Sequence, residues 1–170
     1  DTPFQLALRF TMRRITATLA VVGVLLFSAG SAWADLDEGM AAFKRGDSAT
    51  AFLEWFTSAE QGLALAQYLV AEMYISGEGV SKNEAEAAKW FRKAAEQGDA
   101  DGQTGLGFSY ATGGGIPVNN VKAYMWLSLA KAQGHETAAE NLDLVQKQMN
   151  TDQIGEAQKL AAEMWEKINN

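Results

Sequence analysis

An internal echo constrains this chain more than any single residue does. The segment Gly62 to Gly98, moved along by 36 positions, lies on Gly98 to Gly134 without a gap. Gln67 falls on Gln103, Val70 on Leu106, Tyr74 on Tyr110, Gly77 on Gly113 and Gly79 on Gly115. The agreement continues with Asn83 on Asn119, Ala87 on Ala123, Trp90 on Trp126, Ala94 on Ala130 and Gln97 on Gln133. Ordinary residue usage gives roughly two or three coincidences over such a stretch, so the segments are copies of one structural unit.

Each copy reads as a pair of helices. In the first, Ala66, Val70 and Tyr74 form an apolar stripe at helical spacing, which predicts helix A from about Ala64 to Ser76. Gly77 and Gly79 end it, because glycine tolerates the left-handed backbone that closes the last carbonyls. Ser81 or Asn83 is positioned to cap helix B, and Glu84 and Glu86 suit the positive end of its dipole. Helix B carries Ala87, Trp90, Phe91, Ala94 and Ala95, one large aromatic among small residues, and ends at Gly98. A lone unit has nothing to cover this stripe, so units must stack. Gly102 and Gly105 are expected to weaken helix A of the following unit.

The flanks complete the array. Residues 36–62 read as a first unit with a short connection: a helix around Leu36 to Arg45, a turn at Gly46-Asp47, and a helix from about Ser48 to Gln61. Units 63–98 and 99–134 follow, and residues 135–170 form a C-terminal cap. In that cap Thr137 to Met149 begins another helix A, and a last helix offers Ile154, Ala157, Leu160, Ala161 and Trp165 on one side. The fold expected is all-α: an α-solenoid of stacked antiparallel helix pairs closed by a capping helix.

Ahead of this array, Arg13 and Arg14 precede an apolar run, Ile15 to Phe27, followed by Ser28-Ala29-Gly30-Ser31 and Ala32-Trp33-Ala34. The order matches a secretory signal at residues 12–34 cut between Ala34 and Asp35, with residues 1–11 as an upstream extension. Retention as a membrane anchor over Ile15 to Ala34 is the alternative. With no cysteine in the chain, lipoprotein anchoring is excluded. The expected destination is export, to the periplasm where the host has an outer membrane. Cleavage would remove three of 14 basic and one of 21 acidic residues, leaving 11 against 20 and a net charge of −9.

That acidity argues against nucleic acid as a partner, since phosphate binding needs clustered cations. Zero Cys and a single His, His135, remove disulfides, thiolate chemistry and most zinc sites. Gly113-Gly114-Gly115 lacks the strand and lysine of a phosphate loop. Asp99 and Asp101, like Glu84 and Glu86, fall at helix starts, where acids stabilise the dipole, and do not have calcium-loop spacing. His135 reads as a solvated turn residue. Trp90 and Trp126 read as core. No catalytic residue, metal or cofactor is expected.

The runs Ala66-Gln67-Tyr68, Met73-Tyr74-Ile75-Ser76-Gly77-Glu78-Gly79-Val80 and Ala87-Ala88-Lys89-Trp90-Phe91-Arg92-Lys93-Ala94-Ala95-Glu96-Gln97-Gly98 resemble a Sel-one-like repeat (SLR), a relative of the tetratricopeptide repeat. The resemblance implies a right-handed superhelix and a non-catalytic adaptor that binds a protein or peptide, in bacteria often in the cell envelope. Lys131 replaces the second alanine of the Ala-Ala pair, and Pro117-Val118 alters the third unit's loop.

In stacked helix pairs the A helices line the concave side, so their residues off the apolar stripe are the candidate partner-binding surface. These are Tyr68, Glu72 and Ile75, and in the next unit Thr104, Phe108 and Ala111, each set at i, i+4, i+7. Tyr68 and Phe108 are the aromatic anchors. The rival readings are an envelope hydrolase acting on cell-wall sugar or peptide, for which nothing in the sequence places two carboxylates in a pocket, and a structural component without a specific ligand.

Overall fold

The computed structural model describes residues 32–170, and every regular element among them is an α-helix. Helix α1 covers residues 32–44, followed by α2 (Ser48–Glu60), α3 (Ala64–Ser76), α4 (Glu84–Glu96), α5 (Ala100–Thr112), α6 (Asn120–Ala132), α7 (Glu136–Gln146) and α8 (Thr151–Asn169). The upstream extension 1–11 and residues 12–31 of the signal segment lie outside the described residues. Residues 32–34, read from sequence as the end of the signal, form the first turn of α1, which therefore starts ahead of Leu36. Ser58 Oγ lies 2.8 Å from the Ala32 carbonyl and 3.2 Å from that of Glu54. No helix among the described residues is long and apolar enough to cross a membrane.

Successive helices pack against one another from α2 through α7, and α8 folds back on α6. The buried alanines make this close packing feasible: Ala51, Ala66, Ala71, Ala87, Ala94, Ala95, Ala123 and Ala130 are sealed from solvent. Trp55, Trp90 and Trp126 fill the spaces between, each 5% exposed or less. Trp55 Nε1 donates to the Leu36 carbonyl at 3.2 Å, and Trp90 meets Phe56 edge-on with centroids 5.4 Å apart. In the last helix Ala157 is buried and Ile154, Leu160 and Ala161 pack against the core. Trp165, expected on that same apolar side, is 45% exposed among the described residues.

The period shows in the bonds as well as the helices. Gln67 Nε2 donates to the Ala59 carbonyl and Gln67 Oε1 accepts from Gln97 Nε2; 36 residues on, Gln103 does the same with Ala95 and Gln133. Gln67 and Gln103 are buried, so each brings its own partners into the helix interface. Asn83 and Asn119 accept from the backbone amides of Glu86 and Lys122, capping α4 and α6.

Two glycine expectations turn out differently. Gly77 and Gly113 are left-handed C-caps as expected. The second loop glycines do more: a Cβ on Gly79 would strike the Ser48 carbonyl, and one on Gly115 the Glu84 backbone. Each loop thus rests directly on the start of the preceding unit's helix B. Gly102 and Gly105, expected to weaken α5, sit in an unbroken helix. A Cβ on Gly102 would come within 2.6 Å of Ala94 Cβ, and one on Gly105 within 2.6 Å of the Phe91 ring. Their role is close approach between α4 and α5, which outweighs their lower helix propensity.

Candidate partner-binding groove

Helix α3 touches α5, and α5 touches α7, so the A helices form one side of the stack. Between them lies a groove of about 620 Å³. Tyr68, Glu72 and Ile75 enter it from α3, Asp101, Thr104 and Phe108 from α5, and His135, Thr137 and Asn141 from the start of α7. Phe91, on α4, contributes to the floor. Five of the six residues proposed from sequence therefore converge. Ala111 does not: it is part-buried against the core and is absent from the groove wall. Ile75, at the same i+7 offset, does reach the groove, so the difference lies in length: the Ala111 methyl group is too short to reach the wall.

The two aromatic anchors differ in kind. Phe108 is 53% exposed, a large apolar surface with no cover. Tyr68 is half-buried, its ring tilted on Phe91 at 6.1 Å, so it supports the wall as much as it faces the groove. Burial pushes the Tyr68 phenol up to about 12, with Glu72, Asp101 and Asp99 adding to the rise, so it remains a neutral hydrogen-bonding group.

Among the polar residues of the groove, Glu72 and Asp101 are acids and none is a lysine or arginine; Asp99 caps α5 nearby. Burial raises the Glu72 carboxyl above its ordinary value, and the charge of Asp101 raises it further. Asp99 is raised chiefly by burial, against the lowering effect of the Gly102 amide that it caps at 2.7 Å. Sequence reasoning left Asp99 and Asp101 as helix-start residues, placed Glu72 on the candidate binding face and found no pair in a pocket; the structure brings Glu72 and Asp101 to one groove.

His135 is also corrected. It is the N-cap of α7: Nδ1 accepts from the Ala138 amide at 3.2 Å, and Nε2 lies 3.0 Å from Asp101 Oδ1. Nδ1 accepts, so the neutral ring carries its proton on Nε2 and donates it to Asp101. The signal was present in the sequence, since His135 stands 36 residues after Asp99, which caps α5. Asp99 and His135 both cap through a side-chain acceptor, whereas Leu63, at the same place in the preceding copy, makes no such bond.

Chemically, two of the groove's hydroxyls are committed to their own helix. Thr104 Oγ1 donates to the Ala100 carbonyl at 2.8 Å and Ser109 Oγ to that of Gly105 at 2.9 Å. Neither bonds to a base, so neither is an activated nucleophile. No group of three or more His, Asp or Glu among the described residues is arranged to hold a metal ion. What the site offers is an apolar patch bordered by two acids, Glu72 and Asp101.

The profile of the Sel1 repeat matches residues 64–99 and 100–135. No curated protein matches the chain. Among solved structures, a protective antigen present in uropathogenic Escherichia coli strains, displaying an SLR fold, is 30% identical, with a TM-score of 0.77 over 82% of this chain. A Sel1 repeat protein from Oxalobacter formigenes is 32% identical, with a TM-score of 0.62 over 66% of this chain. The chain spans 31% of the first structure and 48% of the second. The 36-residue echo thus has a counterpart: residues 64–135 match two Sel1 repeats, and the helix pairs stack in an SLR fold.

Proposed function

We propose that this protein is an exported adaptor that holds a segment of a protein or peptide partner in the groove between α3, α5 and α7. Sel1-repeat solenoids generally mediate protein–protein interaction. The observation that carries the reading to this particular surface is Phe108, half exposed beside Ile75 and Phe91 on the concave side. An uncovered aromatic in a groove with a polar border has the anatomy of a binding hot spot. In-cell crosslinking tests it: Phe108→Ala is expected to abolish partner capture, while Leu53→Ala, a still more exposed apolar site on α2, leaves capture unchanged. Capture that survives Phe108→Ala would place the site elsewhere. Export rests on the charged, apolar and small-residue order of residues 12–34, and amino-terminal sequencing of the mature protein is expected to begin at Asp35.

A second reading, hydrolysis of cell-wall sugar or peptide, draws on the Glu72 and Asp101 pair. The backbone-bonded hydroxyls of Thr104 and Ser109 favour binding over catalysis. Release of soluble fragments from cell wall by the purified chain, lost in Glu72→Gln, would establish the second reading instead.

A further inference from the structure

The A-helix side of the solenoid is purely acidic. Helices α3, α5 and α7 contain Glu72, Asp101, Glu136, Glu140 and Asp143 and not one lysine or arginine. The helices behind them mix signs: α4 has Glu84, Glu86 and Glu96 with Lys89, Arg92 and Lys93, and α6 has Lys122 and Lys131. The groove continues as two smaller hollows. One, between α1 and α3, shares Glu72 and adds Met40, Phe43 and Glu78; the other, toward the glycine loop, shares Ile75 and Phe108 and adds Glu84. None of the three is lined by a lysine or arginine.

The acids are not equally available. Glu84 is paired with Lys82 at 3.0 Å, Glu78 accepts from Ser48 Oγ, and Asp101 meets His135. Glu72 has neither a hydrogen bond nor a cation among the described residues, although it stands where the main groove and the α1 side hollow meet. Glu72 is exposed and unpaired beside a second acid and an apolar wall, so an incoming cation can reach it without displacing a partner.

We infer that the groove selects a cationic amphipathic peptide segment, with an aliphatic or aromatic side chain laid on Phe108 and Ile75 and a lysine or arginine set between Glu72 and Asp101. This deepens the adaptor reading and rests on it. The apolar surface supplies affinity, and the two acids supply the choice among apolar segments.

The test uses the chain with four fluorescent peptides of equal length, read by anisotropy at low salt: cationic-apolar, neutral-apolar, acidic-apolar and cationic without apolar residues. The cationic-apolar peptide is expected to bind about tenfold more tightly than the neutral one, with the acidic one weaker still, and added salt narrows the gap. Glu72→Gln and Asp101→Asn each reduce the cationic-to-neutral ratio to about threefold or less, while Glu60→Gln, at the end of α2, leaves it unchanged. Equal binding of cationic and neutral peptides, with both weakened by Phe108→Ala, would overturn the charge selection and leave the groove standing. Binding by the cationic peptide without apolar residues as tight as by the cationic-apolar one overturns the amphipathic requirement. Failure of all four to bind overturns the groove itself.

Discussion

Gly115→Ala probes the stacking of units, because its effect separates into two parts that other glycines isolate. Gly115 has φ +73° and Gly134 has φ +89°, so both alanine variants bear the left-handed strain of about 1–2 kcal/mol. Each recovers roughly 0.4–1 kcal/mol by restricting the unfolded chain. At Gly134 nothing lies within 4 Å of the added carbon, so the net loss is about 1 kcal/mol or less. At Gly115 the added carbon falls well inside 3.0 Å of the Glu84 carbonyl carbon and oxygen and the Ala85 nitrogen. Those are backbone atoms in the first turn of α4, held by the Asn83 cap, and they have no rotamer by which to move aside. Overpacking of this kind costs a further ~1–3 kcal/mol. The expected gap between the two variants is therefore about 2 kcal/mol, or roughly 4–8 °C in Tm for a chain of this size. Urea and thermal unfolding followed by far-UV circular dichroism give the comparison. Gly79→Ala is expected to side with Gly115→Ala, because its added carbon meets the Ser48 carbonyl. Coincident midpoints for Gly115→Ala and Gly134→Ala would refute the idea that the glycine loops seat one unit on the last.

Two further outcomes are expected. Gln103→Ala, which removes a buried side chain and both of its hydrogen bonds, costs about 2–3 kcal/mol in urea unfolding, whereas Gln133→Ala, at an exposed position, costs about 1 kcal/mol or less. Glu72 has a raised folded-state pKa, so its contribution to stability is full below its ordinary value of 4.5 and is lost as pH rises through the folded value. The stability of Glu72→Gln relative to the parent is accordingly expected to improve between acid and neutral pH, by less than ~1 kcal/mol because the site is solvent-screened. A relative stability that falls over that range, measured by unfolding at each pH, would contradict the assignment.

The helices were legible in the sequence because their determinants are local. The Ala66, Val70 and Tyr74 stripe with Gly77 after it sets α3 at Ala64–Ser76, the span read from the sequence. The repeat offset carried that reading to α5. What escaped notice required knowledge of neighbours. Gln67 and Gln103 recur visibly, yet only stacking shows that Gln97 and Gln133 bond to them. Gly105 looks like a helix weakness until the Phe91 ring is seen beside it. Asp101 and His135 lie 34 residues apart and meet only because α5 and the start of α7 are adjacent. The candidate face was accessible through the i, i+4, i+7 rule, and Ala111 marks where that rule overreached. The lack of lysine and arginine in α3, α5 and α7 was also visible in the sequence, but it acquires meaning only when those helices are seen to share one side.

The central claim is that the A-helix side receives a partner segment, and amide chemical-shift mapping during titration with the cationic-apolar peptide addresses it most directly. The account predicts shifts concentrated in α3, α5 and the first turn of α7, with Glu72, Phe108 and His135 at their centre. Shifts concentrated instead on the outer faces of α2, α4 and α6, around Leu53, Lys89 and Lys131, would contradict it.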